Sequence, residues 1–145
     1  MTGPTWGGCL EVLQWVLTAG RFPADPHVLD GAVMLIETSE MLPSASEVAW
    51  ILRAMGERGL LAAVDAVLVA RPPASSLEDR RDAPARARFR AEQRDAVVET
   101  VGRYNPEAVI CVGVPFGHTR PQWIVPHGGT MTLDGASHRI TASYA

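Results

Sequence analysis

The apolar positions of this chain change period several times, and each change predicts a new element. Leu10, Leu13 and Leu17 recur at helical spacing over residues 9–18, with Gly20 placed to end the helix. Residues 21–30 hold two prolines and read as a loop. The continuous apolar run Gly31-Ala-Val-Met-Leu-Ile36 predicts a buried strand that stops at Glu37. Ser44-Ala-Ser-Glu47 fits a capping box, and Val48, Ile51, Leu52 and Met55 follow at i, i+3, i+4, i+7, with Gly59 marking the helix exit. Ala66-Val-Leu-Val-Ala70 is a second buried strand, leading into the Pro-rich loop Arg71-Pro-Pro-Ala-Ser-Ser. A long helix is predicted over residues 85–103 with Phe89, Val97, Val98 and Val101 inward, closed by Pro106. Residues 108–112 are a third buried strand. The C-terminal texture differs: residues 122–125, 130–133 and 139–143 are short and β-rich, separated by Gly128-Gly129 and the hairpin signal Asp134-Gly135. The order αβαβαβ followed by a β-meander predicts an α/β domain with a mixed sheet.

Composition narrows the possibilities. The 145 residues are about one domain, 47% hydrophobic and 20% charged, with a net charge of -3 that argues against a nucleic-acid partner. All thirteen basic residues are Arg. Residues 80–94 contain six of them, interleaved with Glu78, Asp79, Asp82, Glu92 and Asp95 nearby, which reads as a solvated helix face. Of the two cysteines, Cys111 falls in an apolar run and is expected to be a buried, reduced thiol. No apolar run is long enough to cross a membrane, and no signal peptide is expected. The start Met-Thr-Gly-Pro-Thr-Trp-Gly-Gly is abrupt, as in a domain cut from a longer chain.

The candidate chemistry lies at two strand ends. His118 sits in Val114-Pro-Phe-Gly-His118-Thr-Arg-Pro-Gln-Trp123, a Gly- and Pro-framed loop after the third apolar run. Ligands of open α/β sheets collect at the carboxyl ends of strands, and a His there titrates near neutrality. Glu37 ends the first run. If the two strands are near neighbours, the side chains converge, and a carboxylate orienting a His is the supporting half of a nucleophile–His–acid triad. The plainer alternative is a solvated strand-end acid and a turn histidine. No nucleophile follows: Ser44 is a helix cap, Ser39 and Ser46 flank it, Ser75 and Ser76 lie in the Pro-rich loop, and none is in a Gly-x-Ser-x-Gly elbow. Cys111 is mid-strand and expected to be inert. His27, His127 and His138 show no ligand spacing, so neither a metal nor a cofactor is expected. Gly7-Gly8 is read as a tight start to the first helix, with an anion site there as the alternative. Trp123 is read as an exposed packing residue, with a cleft-lining role as the alternative.

Three ordered motifs, Gly7-Gly-Cys-Leu-Glu-Val-Leu13, Val33-Met-Leu-Ile-Glu37-Thr-Ser-Glu40 and Val114-Pro-Phe-Gly-His118-Thr-Arg-Pro-Gln-Trp123, resemble the C-terminal domain of the serine LD-carboxypeptidases, the S66 peptidase family. The resemblance spans nearly the whole chain and implies a swivelling β/β/α-type domain, residues 1–145 being that domain. It implies that the triad Glu falls on Glu37 and the triad His on His118. Glu40 matches a recurring position without a catalytic assignment. The flavodoxin-like N-terminal domain that supplies the nucleophilic Ser and the oxyanion-hole amides is absent from these residues, so the isolated chain is expected to be inactive.

The implied function is hydrolysis of an L,D-peptide bond in a murein tetrapeptide-type substrate during cytoplasmic peptidoglycan recycling. The Gly-Gly-Cys-Leu-Glu and Ile-Glu-Thr-Ser-Glu variants lean toward the microcin-immunity branch, whose members cut peptidyl- or aminoacyl-nucleotide conjugates. A non-catalytic association module that keeps the fold is the remaining alternative. The implied partners are the N-terminal domain, a peptide substrate and a second copy in a homodimer, without membrane or nucleic acid.

Overall fold

The computed structural model describes residues 1–144. Six strands, β1 (Thr2–Cys9), β2 (Val33–Glu37), β3 (Ala66–Ala70), β4 (Val109–Val114), β5 (Thr130–Asp134) and β6 (Arg139–Ser143), form one mixed sheet in the order β4-β3-β2-β1-β5-β6. The first four are parallel, and β5 and β6 add in antiparallel fashion beyond β1. The helices between them are α1 (Leu10–Thr18), α2 (Ala45–Glu57), the single turn α3 (Leu60–Ala63) and α4 (Ala83–Tyr104), with a 3-10 turn at Pro26–Leu29. Every crossover from β1 to β4 moves one strand in the same direction. With the usual right-handed connection, this places all the helices on one face.

Strand alternation then builds two cores. Met34, Ile36, Val67 and Val69 face the helices and pack against Leu10, Leu13, Val48, Leu52, Met55, Leu60, Val97 and Val101. Val33, Leu35, Ala66, Leu68 and Ala70 face the other way, where the sheet curls so that Met131 and Leu133 of β5 close over them with Val114 and Phe116. Burying each of these large aliphatic side chains contributes about 1.5–3 kcal/mol.

The capping box forms as the sequence dictates: the Glu47 N–H donates to Ser44 Oγ at 3.2 Å, and the Ser44 N–H donates to Glu47 Oε2 at 2.7 Å. Gly59 ends α2 in the left-handed conformation, at φ 76°. Asp82 caps α4 by accepting the Ala85 N–H at 2.8 Å, so that helix begins two residues before the expected start. At its far end Asn105 Nδ2 donates to the carbonyls of Leu61 and Val64, tying α4 to α3.

Several expectations need correction. Gly7-Gly8 is not a helix-entry turn but part of β1, the sheet's third strand from its β6 edge, which pairs on both sides. Gly7 is required there because a Cβ would lie 2.1 Å from the Leu35 carbonyl oxygen. The run at 108–112 is not a buried strand. It contributes to β4, the sheet edge, where Val109 and Val112 are exposed and Cys111 is only half-buried. Residues 122–125 form no strand; they lie between Pro121 and Pro126 in extended loop. Val98 faces solvent, while Gln93 takes an inward position and donates to the Pro43 carbonyl. No helix among the described residues is long and apolar enough to cross a membrane.

Candidate active site

Glu37 is the last residue of β2, paired in register with Cys9 of β1. His118 follows β4, and β3 lies between the two strands, so the loop must cross the end of β3 to bring them together. The crossing begins at an irregularity. The β3–β4 register slips between Val69 and Ala70, Gly113 adopts φ 80°, and the Arg71 N–H donates to the Val114 carbonyl at 2.7 Å. Phe116 then anchors the loop in the core, 3% exposed. Arg71 braces it from β3, with Nε donating to Thr119 Oγ1 at 3.0 Å and Nη2 to the Arg120 carbonyl at 2.7 Å.

The result is a close dyad. His118 Nδ1 lies 2.6 Å from Glu37 Oε2, and the His118 backbone N–H donates to the same oxygen at 3.1 Å. A carboxylate only accepts, so Nδ1 carries the proton and Nε2 is left as the basic nitrogen. Glu37 is buried, at 9% exposure, whereas the imidazole is 40% exposed. Glu40, a solvated carboxylate, approaches Nε2 at 3.7 Å. The Glu37 hydrogen bond raises the His118 pKa above its ordinary value, partial burial opposes the rise, and the charges of Glu37, Glu40 and Glu11 add to it.

That shift has a measurable sign. The folded-state pKa is raised, so the dyad's stabilisation is fully present below about pH 6.5 and is lost as pH rises through the folded value. An NMR titration of the imidazole is expected to give a midpoint above 6.5, and Glu37→Gln is expected to bring it back toward 6.5. An unchanged midpoint in the variant would show that Glu37 does not set the charge of the ring.

Sequence reasoning missed the group that holds the β2–α2 loop. Glu11, in the first turn of α1, is 8% exposed. Its Oε1 accepts from the Ser39 N–H at 2.9 Å and the Ser39 hydroxyl at 2.8 Å, and its Oε2 accepts from Cys9 Sγ at 3.2 Å. The signal was available: Glu11 belongs to the same Gly-Gly-Cys-Leu-Glu motif and Ser39 follows Glu37 by two residues. Desolvation pushes the Cys9 thiol up to about 11 and also raises Cys111, so both are thiols rather than thiolates near neutrality.

The other named residues stay apart from the dyad. Ser44 caps α2, Ser75 Oγ accepts the Arg81 N–H, and Ser76 Oγ accepts from Glu78 and Asp79. No serine hydroxyl hydrogen-bonds His118 among the described residues. His27 pairs with Asp30 on the surface. Trp123 is 51% exposed in the loop beyond His118, its N–H donating to the Pro115 carbonyl at 2.6 Å.

Comparison with known proteins gives this geometry a family. The profile of the LD-carboxypeptidase C-terminal domain matches residues 2–133. No curated protein matches. Among solved structures, the chain is similar to an MccF-like protein from Streptococcus pneumoniae in complex with AMP, at 23% identity and TM-score 0.77, covering 99% of this chain and 41% of that one. It is similar to the microcin C7 self-immunity protein MccF at 17% identity and TM-score 0.73, covering 100% and 38%. It is also similar to a muramoyltetrapeptide carboxypeptidase from Oxalobacter formigenes at 20% identity and TM-score 0.62, covering 97% and 44%. The chain thus spans about two fifths of the length of these proteins, and its mixed sheet and helices share the fold of the part it covers. The chain belongs to the S66 peptidase family, as an LD-carboxypeptidase C-terminal domain.

Proposed function

We propose that this chain is the Glu- and His-bearing half of a serine carboxypeptidase that hydrolyses an L,D-peptide bond in a murein tetrapeptide-type substrate. The observation that carries the reading is the 2.6 Å contact between Glu37 Oε2 and His118 Nδ1 on an imidazole that is 40% exposed. A serine hydroxyl brought to Nε2 by an N-terminal domain outside these residues loses its proton to His118 as it attacks the peptide carbonyl. The imidazolium, held by Glu37, then gives that proton to the departing amine. The oxyanion donors come with the serine-bearing half, so the largest electrostatic contribution is missing from the isolated chain. Trp15, Met41 and Trp50 are 63%, 74% and 66% exposed, which supports a covering partner on the α1–α2 side.

The 145-residue chain alone is expected to release no D-alanine from an L,D-linked tetrapeptide, while the same chain joined to its serine-bearing half releases it. Activity of the joined protein is expected to rise with pH through the raised pKa of His118, because only the neutral ring accepts a proton. Release by the isolated chain, or undiminished release after His118→Ala in the joined protein, would sink the proposal.

A second reading is favoured by one observation. Cys9, Glu11 and Ser39, which carry the motif variants leaning toward the immunity branch, form one hydrogen-bonded group beside Glu37. In that reading the bond cleaved joins a peptide or amino acid to a nucleotide. Parallel assays with the tetrapeptide and an aminoacyl-nucleotide conjugate separate the two by their kcat/KM.

A further inference from the structure

Beside Glu37, at the carboxyl ends of β2, β3 and β4, the helix α4 stands off the sheet and leaves a cavity of ≈ 410 Å³. Its walls are mainly aliphatic, with Leu10, Ile36, Val69 and Val112 among them. The polar groups on it are unbalanced. Arg71, Arg90 and Arg94 line it, and among the described residues Glu37 is the only carboxylate that does. Glu37 is already committed to His118. Arg94 is neutralised by Asp95, at 2.7 Å. Arg71 and Arg90 make no ion pair among the described residues. Their bonds run to neutral acceptors, Thr119 Oγ1 and the Arg120 carbonyl for Arg71, and the Pro72 carbonyl at 3.2 Å for Arg90.

Gathering guanidinium groups over an apolar wall without a counter-charge is unfavourable. Arg90 registers it: desolvation lowers its pKa, and the neighbouring charges of Arg71 and Arg86 lower it further. On the helix face that read as uniformly solvated, Arg90 is therefore half-buried and turned to this cavity. An apolar pocket with a few convergent charged groups is the ordinary form of a small-molecule site. Its place at the strand carboxyl ends is where ligands of open α/β sheets bind.

We infer that this cavity is a subsite for an oxyanion, carboxylate or phosphate, carried on a small apolar body, with Arg71 and Arg90 holding the charge. Planar guanidinium donors match both oxyanions. Assigning that anion to the substrate rests on the reading of Glu37 and His118 as the reaction centre. Binding of the anion does not, and it is measured on the chain without catalysis.

The test is an NMR titration of the 145-residue chain at pH 7 with hexanoate, hexyl phosphate and hexanol. Both anions are expected to bind with Kd of about 1–10 mM, and hexanol more weakly. Shifts should centre on Val69, Arg71, Ala91 and Val112. Arg90→Gln is expected to weaken anion binding about tenfold and leave hexanol unchanged, while Arg90→Lys recovers part of the loss. Arg90 is the variant of choice because Arg71 also braces the His118 loop. A carboxylate preference assigns a peptide terminus, and a phosphate preference assigns a phosphate ester. No shifts by about 50 mM, equal binding of hexanol, shifts elsewhere, or unaltered affinity in a folded Arg90→Gln chain would each overturn the assignment. Failure here with a Glu37- and His118-dependent joined enzyme removes the subsite alone.

Discussion

Glu37→Gln is expected to lower the turnover of the joined enzyme by about 10⁴-fold with little loss of stability. The two side chains are nearly isosteric, and a Gln carbonyl at the Oε2 position can still accept the His118 backbone N–H, now made at 3.1 Å. A carbonyl oxygen there can also accept from Nδ1, but it is neutral and does not stabilise the imidazolium that forms during proton transfer. If the amide NH2 faces the ring, it donates to Nδ1, and the neutral imidazole must then carry its proton on Nε2. That nitrogen is the one required to take the serine proton. That flip inverts the tautomer at the cost of the backbone N–H bond, and in either orientation the ring loses its anionic partner. The measurement is kcat at saturating tetrapeptide, together with the ¹⁵N shifts of the ring. A kcat within about tenfold of the parent would show that the carboxylate is not needed for base catalysis.

Gly117→Ala is expected to be as damaging to activity and also to destabilise the domain, by about 2–5 kcal/mol. Gly117 has φ 70°, a conformation unfavourable to an L side chain, and a Cβ there would stand 2.4 Å from Glu37 Oε2 and 2.7 Å from its Cδ. Whether the carboxylate shifts toward the cavity it lines or the loop lifts, the two part, and the 2.6 Å bond to His118 goes with them. Chemical denaturation of the chain checks the stability, and a double-mutant cycle checks the cause. Glu37→Ala in the Gly117→Ala background removes the Oε2 and Cδ contacts and leaves only the Cβ at 2.8 Å, so the double variant should be more stable than the sum of the single losses predicts. Additivity, or a single-variant loss below about 0.5 kcal/mol, would mean that the close approach does not constrain this loop.

The dyad was legible in the sequence because Glu37 ends one apolar run and His118 lies in the loop that follows another, and strand ends are where a buried sheet delivers side chains to solvent. Adjacency was not legible. β2 and β4 are separated by β3, and contact depends on the register slip at Val69/Ala70, on Gly113 and on Gly117. None of these has a periodicity to read. The capping box of α2 was visible because its chemistry is confined to four consecutive residues.

β1 was invisible for the opposite reason. Thr2-Gly-Pro-Thr-Trp-Gly-Gly-Cys has weak strand propensity, with a Pro and three Gly, and exists as a strand only because β2 and β5 pair with it from both sides. Residues 108–112 were misjudged because an apolar run does not reveal whether its strand is central or at an edge. Residues 122–125 have strand-like side chains but are fenced by prolines and find no partner strand among the described residues. Glu11 was overlooked because a carboxylate in the first turn of a helix already has a local explanation.

The direction of β1 sets a requirement on any architecture that completes this site. Its carboxyl end, at Cys9, lies beside Glu37, while residue 1 is at the opposite end of the strand, its amino group against the Leu133 carbonyl at 2.8 Å. Eight residues of strand separate the two, a span of about 25 Å. A serine-bearing half attached through residue 1 would enter at the far pole of the sheet from His118. A connecting segment of roughly eight extended residues, or the body of that half itself, would have to span this distance before a hydroxyl could reach Nε2. The length of that tether, as much as the chemistry of the dyad, would then govern whether the two halves meet in register.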